Sequence, residues 1–213
     1  MREPTTAPLR RTPQQARSKA RLARVLTAAE RVLVAEGVEA LTTTRVAAEA
    51  KVSVGSLYQY LPDREAIIDA LAAGYFAGLE AAMDAFADVA SADAASAGLR
   101  ADPVGVLVDE FAAIYRAEHG FRALWFGSGP TERTRAADRA HKRRMADGLR
   151  RVLLALGLTR DDERLARSCL AAVLAADALA QEAFRRDAAG DAGLLDEAKV
   201  MLRGYLTAIA ERA

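Results

Sequence analysis

The sequence predicts an all-α protein of about nine helices, because three features of the chain favour helices over strands. Alanine fills 50 of the 213 positions, whereas valine, isoleucine and threonine together fill 29. Alanine has the highest helix propensity, while β-branched residues favour strands. Apolar residues recur at spacings of three and four, and capping residues or glycines separate these periodic segments. No extensive sheet is therefore expected.

The first predicted helix begins near Thr12 and ends at Gly37. Thr12 supplies a capping hydroxyl, Pro13 suits the first helical position, and a glutamine follows at the third. Apolar residues then recur at helical spacing from Leu22 to Leu33, which leaves the arginines on the other side. The sequence predicts an amphipathic helix with a basic face.

The formal net charge of +1 hides an uneven distribution. Residues 1–64 carry 11 basic against 6 acidic residues, a net charge of +5, and residues 65–213 carry 19 against 23, a net charge of −4. Six basic residues follow one another without an intervening acid: Arg10, Arg11, Arg17, Lys19, Arg21 and Arg24. Such a run is usually a solvated face or a flexible tail, and contact with nucleic acid is the alternative.

Residues 41–61 contain two short helical segments separated by a turn. Thr42 can cap the first, which ends near Lys51, and Ser53 can cap the second, which ends before Pro62. This is a helix-turn-helix pattern. The side chains expected to point outward are Thr43, Thr44, Lys51, Val54, Ser56, Tyr58, Gln59 and Tyr60. Hydroxyl, amide and phenol groups on an exposed helix suit hydrogen bonds to phosphates and base edges.

The string LTTTRVAAEAKVSVGSLYQYLPDREAII resembles the DNA-binding segment of the tetracycline-repressor (TetR) family of bacterial transcriptional regulators. The motifs that carry the resemblance are Thr42, Val46-Ala47, Ala50-Lys51-Val52-Ser53, Gly55-Ser56-Leu57-Tyr58 and Arg64. The resemblance extends from residue 10 to about residue 75, a third of the chain. The combined spacing of these motifs is highly specific, although each motif alone is a weak indication.

Three positions differ from the family pattern. Lys51 occupies the usual turn glycine, Leu61 replaces a common aromatic residue, and Arg64 replaces a lysine. A lysine in a left-handed turn costs about 1 kcal/mol, yet it adds a cation beside the expected DNA surface. None of these changes alters the expected fold.

The resemblance implies two sets of DNA-contacting residues. Those expected at phosphates are Thr42, Thr43, Lys51, Ser53, Tyr58, Tyr60 and Arg64. Those expected at base edges in the major groove are Val54, Gly55, Ser56 and Gln59. For Tyr58, a partly buried role that stiffens the helix is the alternative. By analogy with other helix-turn-helix proteins, Arg10, Arg11 and Arg17 form an arm that reaches phosphates or a minor groove.

The remainder of the chain predicts a second, larger helical domain. We place the boundary after Pro62, with a DNA-binding domain at residues 1–62 and a ligand-binding and dimerisation domain at residues 63–213. Asp63 caps a long helix that ends in a loop of small residues, SADAASAGLRAD, and Asp102-Pro103 opens the next. A short apolar segment at 121–126 and three helices, at 131–156, 160–188 and 192–211, complete the series.

Aromatic residues concentrate between positions 75 and 126, where the resemblance implies helices around an effector cavity. An apolar cavity with few polar groups suits a small apolar or amphipathic ligand. The candidate ligand-binding residues are Tyr75, Leu79, Met83, Phe111, Tyr115, Phe121, Leu124, Trp125, His141, Met145 and Asp177. His141 and Asp177 are the polar anchors among them. The alternative is that the aromatic residues only fill the core.

The last two long helices are rich in alanine and carry wide apolar surfaces. The resemblance implies that they form a four-helix interface with the same pair from a second subunit. The candidate interface residues are Leu170, Val173, Leu174, Ala178, Leu195, Leu202, Tyr205 and Leu206. A dimer also doubles the DNA sequence that one short recognition helix can read. The alternative is that both helices only cover their own core.

Other classes of protein lack support in the sequence. His119, His141 and Cys169 show no metal-ligand spacing, and neither a phosphate-binding loop nor a catalytic motif occurs, so no cofactor, metal or enzymatic activity is expected. Charges interrupt the apolar stretches before the roughly 20 residues of a membrane span. The absence of a signal sequence and the single cysteine favour the cytoplasm.

These features together predict a ligand-responsive transcriptional regulator, most simply a repressor. It is expected to bind a palindromic operator in double-stranded DNA as a homodimer, and to be released by a small, largely apolar effector. The alternative is a small-molecule-binding helical protein with a vestigial DNA-binding domain.

Overall fold

A computed structural model describes residues 12–92, 97–127 and 130–211, and the backbone in these ranges is helical apart from the connections. They form ten α-helices and one 3-10 helix, Val38–Ala40. The α-helices are α1 (Thr12–Glu36), α2 (Thr43–Ala50), α3 (Val54–Tyr58), α4 (Arg64–Ser91), α5 (Ala97–Ala101), α6 (Pro103–Ala117), α7 (His119–Phe126), α8 (Glu132–Ala155), α9 (Glu163–Arg186) and α10 (Ala192–Ala210). The predicted all-α fold is confirmed.

The helix beyond the expected nine is α5, in the segment predicted to be a loop. Its Leu99 is buried in the core of the second unit. Burial of this side chain and the high helix propensity of the flanking alanines account for the extra helix.

Capping side chains begin the helices at the predicted residues. Thr42 accepts a hydrogen bond from the backbone N–H of Arg45 at 3.1 Å, and Ser53 accepts one from Ser56 at 3.2 Å. Asp63 likewise accepts from the N–H of Ala66 at 2.7 Å. These bonds satisfy backbone donors that have no partner inside the helix. They fix the first residues of α2 and α3. Helix α3 ends at Tyr58, two residues before the predicted end at Tyr60.

The chain divides into two compact units, with the first ending at Leu71 and the second beginning at Ala72. This division falls nine residues beyond the predicted boundary at Pro62. The reason is that Ile67, Ile68 and Leu71, in the first turns of α4, are buried apolar residues. The core of the first unit also contains Val25, Val32, Leu33, Leu41, Val46 and Leu57.

The second unit is built around α8, α9 and α10, with α6 packed on α9 and α10. Helix α4 is long and apolar enough, by length and composition alone, to cross a membrane. It nevertheless carries Asp69 and Glu80, and its residues Phe76 and Met83 are buried inside the protein. This is the pattern of a core helix.

Candidate functional site

The surface of the helix-turn-helix presents polar side chains around the recognition helix α3. Thr42, Lys51, Ser53 and Gln59 are exposed, and Tyr58 exposes 51% of its surface. Gly55 is exposed too, and a β-carbon placed on it meets no atom within 4 Å. Nothing within the protein therefore requires glycine at this position, whereas close approach to another molecule would.

Two phenols are held in place by hydroxyl groups. Thr43 Oγ1 donates a hydrogen bond to the hydroxyl of Tyr58 at 3.3 Å, and Ser18 Oγ donates to that of Tyr60 at 3.0 Å. Thr43 is 9% exposed, so the prediction that its side chain points outward is wrong. It sits at the start of α2, where its hydroxyl reaches Tyr58. Thr43 therefore positions an exposed phenol.

Lys51 ends α2 in the left-handed conformation, with φ of 55°. Its backbone N–H donates to the carbonyls of Ala47 and Ala48, which closes the helix. The side chain is exposed beside the recognition helix. This geometry explains why a glycine suits the position and what the lysine adds to the surface.

Arg64 acts within the first unit. Its Nη2 donates to the carbonyl of Val38 at 3.0 Å and pairs with Glu39 Oε1 at 2.9 Å. These contacts tie the start of α4 to the 3-10 helix. Arg64 Nε is buried without a hydrogen-bond partner among the described residues. The guanidinium of Arg64, which was expected to bind a DNA phosphate, is thus engaged in contacts with other residues of the protein.

The remaining DNA-contacting candidates are placed as follows. Val54 and Ser56 lie half-buried on α3. Gln59 follows directly in helical conformation, three residues after Ser56 on the same face. Arg10 and Arg11 lie outside the described residues, and the side chain of Arg17 does as well.

The second unit contains a cavity of about 140 Å³ with mainly apolar walls. Seven of the predicted ligand-binding residues line it: Leu79, Met83, Phe111, Tyr115, His141, Met145 and Asp177. Further lining residues that sequence reasoning did not assign to the cavity are Val104, Leu107, Val108, Lys142, Leu149, Ala172, Val173, Ala176, Leu202 and Leu206. The cavity is thus formed by α4, α6, α8, α9 and α10.

A polar patch interrupts the apolar wall, and it consists of Tyr115, His141, Lys142 and Asp177. Lys142 Nζ lies 2.8 Å from Asp138 Oδ2 and 2.9 Å from Asp177 Oδ2. Burial disfavours the ammonium, but hydrogen bonds with the two aspartates outweigh it and raise the pKa of Lys142. Lys142 therefore stays charged.

Tyr115 and His141 complete the polar patch. Burial, and then the negative charge of Asp177, raise the pKa of Tyr115 well above its ordinary value, so its phenol donates to Asp177 Oδ1 at 3.4 Å. His141 Nδ1 lies 2.8 Å from Glu80 Oε1, and the imidazole stacks on Phe76. Burial opposes ionisation of Glu80, but hydrogen bonds from Arg144 and His141 prevail and lower its pKa. Glu80 is therefore a carboxylate.

Four predicted ligand-binding residues do not line the cavity: Tyr75, Phe121, Leu124 and Trp125. Three of them belong to an aromatic cluster, in which the ring of Phe121 lies 5.6 Å from Tyr75, 5.1 Å from Tyr115 and 5.6 Å from Trp125. Leu124 is fully buried. Phe121 is buried as well, whereas Tyr75 and Trp125 are half-buried. Lys142 lines the cavity but was not among the predicted ligand-binding residues, although its spacing of four from Asp138 and its position next to His141 were available signals.

The outer surface of α9 and α10 separates the dimer candidates into two groups. Leu174, Ala178 and Tyr205 are exposed, and Leu170 is half-buried. The other candidates, Val173, Leu195, Leu202 and Leu206, are buried or half-buried, and all except Leu195 line the cavity. Besides Tyr205, α10 exposes the apolar residues Val200 and Met201, which the sequence did not single out. The sequence showed an apolar surface wide enough for two contacts, but not which side faced inward.

Two further features concern reactivity and charge. Cys169 is buried, and burial raises the pKa of its thiol to about 11. Among the described residues, no group of three or more His, Cys, Asp or Glu side chains could hold a metal ion. The basic residues of α8 are largely ion-paired: Arg139 pairs with Glu132, Arg144 with Glu80, and Arg151 with Asp84.

Comparison with known families agrees with this architecture. Residues 25–71 match the model of bacterial regulatory proteins of the tetR family, and residues 100–210 match that of the tetracyclin repressor-like C-terminal domain. The chain belongs to the TetR family. It is accordingly a DNA-binding transcriptional regulator and not an enzyme. No curated protein is significantly similar in sequence.

Solved structures show the same fold. A TetR-family transcriptional regulator from Streptomyces coelicolor is 31% identical, with a TM-score of 0.63, and the match covers 89% of this chain and 99% of that one. A TetR-family regulator from Mesorhizobium loti is 16% identical, with a TM-score of 0.63 and coverage of 90% and 98%. SmeT in complex with triclosan is 17% identical, with a TM-score of 0.62 and coverage of 89% and 91%.

Proposed function

We propose that this regulator is a cytoplasmic repressor that binds a palindromic operator as a homodimer. In the proposal, a small, largely apolar effector enters the cavity of the second unit and releases the operator. The observation that carries the proposal is the combination of an exposed polar recognition helix with an apolar cavity that has one polar patch.

Operator reading is supported by residues on α3 that have no evident role within the protein. Gly55 is exposed with open space around it, and Gln59 is exposed on the same face as Ser56. A glutamine can bond an adenine edge through two hydrogen bonds, and a glycine permits close approach of the backbone. Base contacts from Ser56 and Gln59 are therefore proposed, with phosphate contacts from Thr42, Lys51, Ser53 and Tyr58.

Dimerisation is supported by an exposed apolar surface on the last two helices. Leu174 exposes 47% of its surface, Val200 62%, Met201 45% and Tyr205 38%. Large apolar side chains exposed together mark interaction sites in soluble proteins when they form one patch. A two-fold dimer would place two recognition helices on the half-sites of a palindrome.

Release by an effector is supported by the course of α4. Leu79 and Met83 on this helix line the cavity, and the same helix begins at Arg64 in the first unit. We propose that a ligand displaces α4 and thereby changes the separation of the two DNA-binding units in the dimer. Such a ligand must bind one arrangement better than the other. The triclosan complex of SmeT, with the same fold, is consistent with an apolar effector.

A gel-shift assay on the DNA adjacent to the protein's own gene tests operator binding. We expect a sequence-specific complex whose affinity falls steeply with salt concentration, because phosphate contacts release counterions. Scrambled DNA of equal length is the control. Equal affinity for both DNAs would contradict the proposal.

Two substitutions on α3 separate base reading from stability. Gln59→Ala is expected to weaken the preferred base at one position by about 1–3 kcal/mol, and Gly55→Ala to weaken all sites because the β-carbon blocks close approach. Neither change removes a buried contact, so neither should lower the temperature of thermal unfolding. Val34→Ala, at an exposed position on α1, is the matched control and should bind DNA normally.

Analytical ultracentrifugation tests the dimer. Leu174→Glu is expected to give a monomer, because a carboxylate at an apolar interface is costly to desolvate. The control is Val89→Glu, which makes the same kind of change at an exposed apolar position on α4. Val89→Glu should remain dimeric, and a dimeric Leu174→Glu protein would contradict the proposed interface.

A further inference from the structure

The polar patch of the cavity contains more negative than positive charge. Two carboxylates, Asp138 and Asp177, lie around the single ammonium of Lys142. The nearby carboxylate of Glu80 is balanced by Arg144, which lies 2.7 Å away. These five side chains therefore carry three negative charges and two positive ones.

Asp177 has room for one more hydrogen bond. Its Oδ2 accepts from Gln181 Nε2 at 2.8 Å and pairs with Lys142 Nζ at 2.9 Å, whereas its Oδ1 accepts only the long 3.4 Å bond from Tyr115. A carboxylate oxygen accepts about two hydrogen bonds. Asp177 Oδ1 is therefore an acceptor on the cavity wall with unused capacity.

From this arrangement, we propose that the effector class is a small apolar amine, whose protonated amino group binds Asp177 while its apolar part fills the cavity. This inference rests on the effector-controlled function proposed above. A dry apolar cavity of about 150 Å³ holds benzene. The cavity of about 140 Å³ therefore suits a single aromatic ring with a short amine-bearing substituent.

An anionic effector is disfavoured by the same contacts. A ligand carboxylate would need Lys142, which already pairs with Asp138 and Asp177. Taking Lys142 away would leave two enclosed carboxylates without a cation, which is costly in a partly buried site. A cationic ligand requires no existing pair to break.

Isothermal titration calorimetry with three probes tests the proposal on the full-length protein in the absence of DNA. Benzylamine, benzyl alcohol and benzoate share one ring and differ in the charge of the substituent. We expect benzylamine to bind about tenfold or more tightly than benzyl alcohol, since charge-assisted hydrogen bonds are the stronger ones. Benzoate should bind weakest. No binding of benzylamine, or tighter binding of benzoate, would overturn the proposal.

Two substitutions on the patch should have opposite effects on benzylamine. Asp177→Asn removes the carboxylate with little change in shape and should abolish the preference over benzyl alcohol. Lys142→Met removes the competing cation and should retain or increase that preference. Asp109→Asn, which removes an exposed carboxylate paired with Lys199 outside the cavity, is the control and should leave it unchanged. An unchanged preference in Asp177→Asn would overturn the proposal.

The unsubstituted protein decides the question if Asp177→Asn fails to fold, as judged by circular dichroism, because the ratio between the three probes needs no variant. Failure of this proposal is also distinguishable from failure of operator control. Calorimetry measures the ligand alone, so a protein that rejects amines can still bind its operator in the gel shift. A protein that binds benzylamine but no operator would contradict only the function proposed above.

Discussion

The two units of this regulator place their polar side chains in opposite ways. In the first, the residues proposed to contact DNA lie on the surface, around an apolar core that includes Leu57. In the second, Lys142 and Asp177 lie on the wall of a cavity, and both are held by partners from other positions in the chain. A surface site can thus be built from one short segment, whereas an internal site needs several helices to meet.

The largest effect is expected from a substitution in the core of the first unit. Leu57→Ala removes a side chain that is 1% exposed and should lower the free energy of unfolding by about 2–5 kcal/mol. Because α3 packs through Leu57, operator binding should be lost together with the fold. Urea unfolding and the gel shift measure the two effects. The neighbouring Gln59→Ala protein is the control, and a similar loss of stability there would contradict the division between core and surface.

The second prediction compares ion pairs between the units. Lys142→Met leaves Asp138 and Asp177 unpaired in a partly buried site and should destabilise the protein by about 2 kcal/mol. Arg45→Met removes surface pairs with Glu36 and Glu49, and it should destabilise the protein less than Lys142→Met does, because solvent screens exposed pairs. Thermal unfolding of both variants checks the difference. Equal destabilisation would mean that solvent screens both networks alike.

Most of the fold could be predicted from the sequence, because its punctuation is local. Thr42, Ser53 and Asp63 cap helices as expected, since each cap needs only a backbone N–H three residues away. Helix α5 could not be predicted, because its anchor is the burial of Leu99 in a core formed by distant helices. For the same reason, the first unit ends within α4 and not at the predicted boundary, Pro62, because Ile67 and Leu71 are buried.

The candidate sites were predictable to unequal degrees. Exposed residues such as Lys51 and Gln59 follow from residue type and spacing on one helix. The cavity wall does not, because Val173 and Leu206 could face either the cavity or a partner subunit, and only the packing of α9 on α10 decides. Lys142 could not be placed on the cavity wall from the sequence, since its partner Asp177 lies on another helix.

A third prediction concerns Lys51, the one non-glycine residue with a left-handed backbone in the part of the chain that the structure describes. Lys51→Gly relieves the left-handed lysine and should raise stability by no more than about 0.5 kcal/mol, the strain less the greater unfolded-state entropy of glycine. It also removes a cation, so the salt dependence of operator binding should fall by about one phosphate contact per protomer. Lys51→Asn loses the same charge and tolerates the same left-handed conformation. It is therefore the control that separates loss of the charge from introduction of a glycine. More stable protein with an unchanged salt dependence would exclude Lys51 from the DNA contact.

The smallest expected effect lies in the second unit, at a surface ion pair that joins α6 to α10. Asp102 caps α6 through the N–H of Gly105 at 2.9 Å and pairs with Arg203, Nη2 to Oδ2, at 2.6 Å. A β-carbon on Gly105 would lie 2.0 Å from Asp102 Oδ2, so a larger residue there would displace the Asp102 carboxylate. Hydrogen bonds from Arg203 and Gly105 lower the pKa of Asp102 to about 2, from 3.8. The carboxylate therefore stabilises the folded state fully above about pH 4, and that contribution is lost as the pH falls towards 2.

Asp102→Asn keeps a capping side chain but lacks the charge, so it should lower stability at pH 7 by less than about 1 kcal/mol, as expected of a solvent-screened pair. The difference from the unsubstituted protein should shrink between about pH 4 and 2, because protonation removes the same charge there. Arg203→Met, which leaves the cap in place, should reproduce most of the loss. Thermal unfolding across this pH range measures both variants. A difference that persists at pH 2 would show that the cap, and not the ion pair, links Asp102 to stability, and the two units would then differ less in how they use exposed charge.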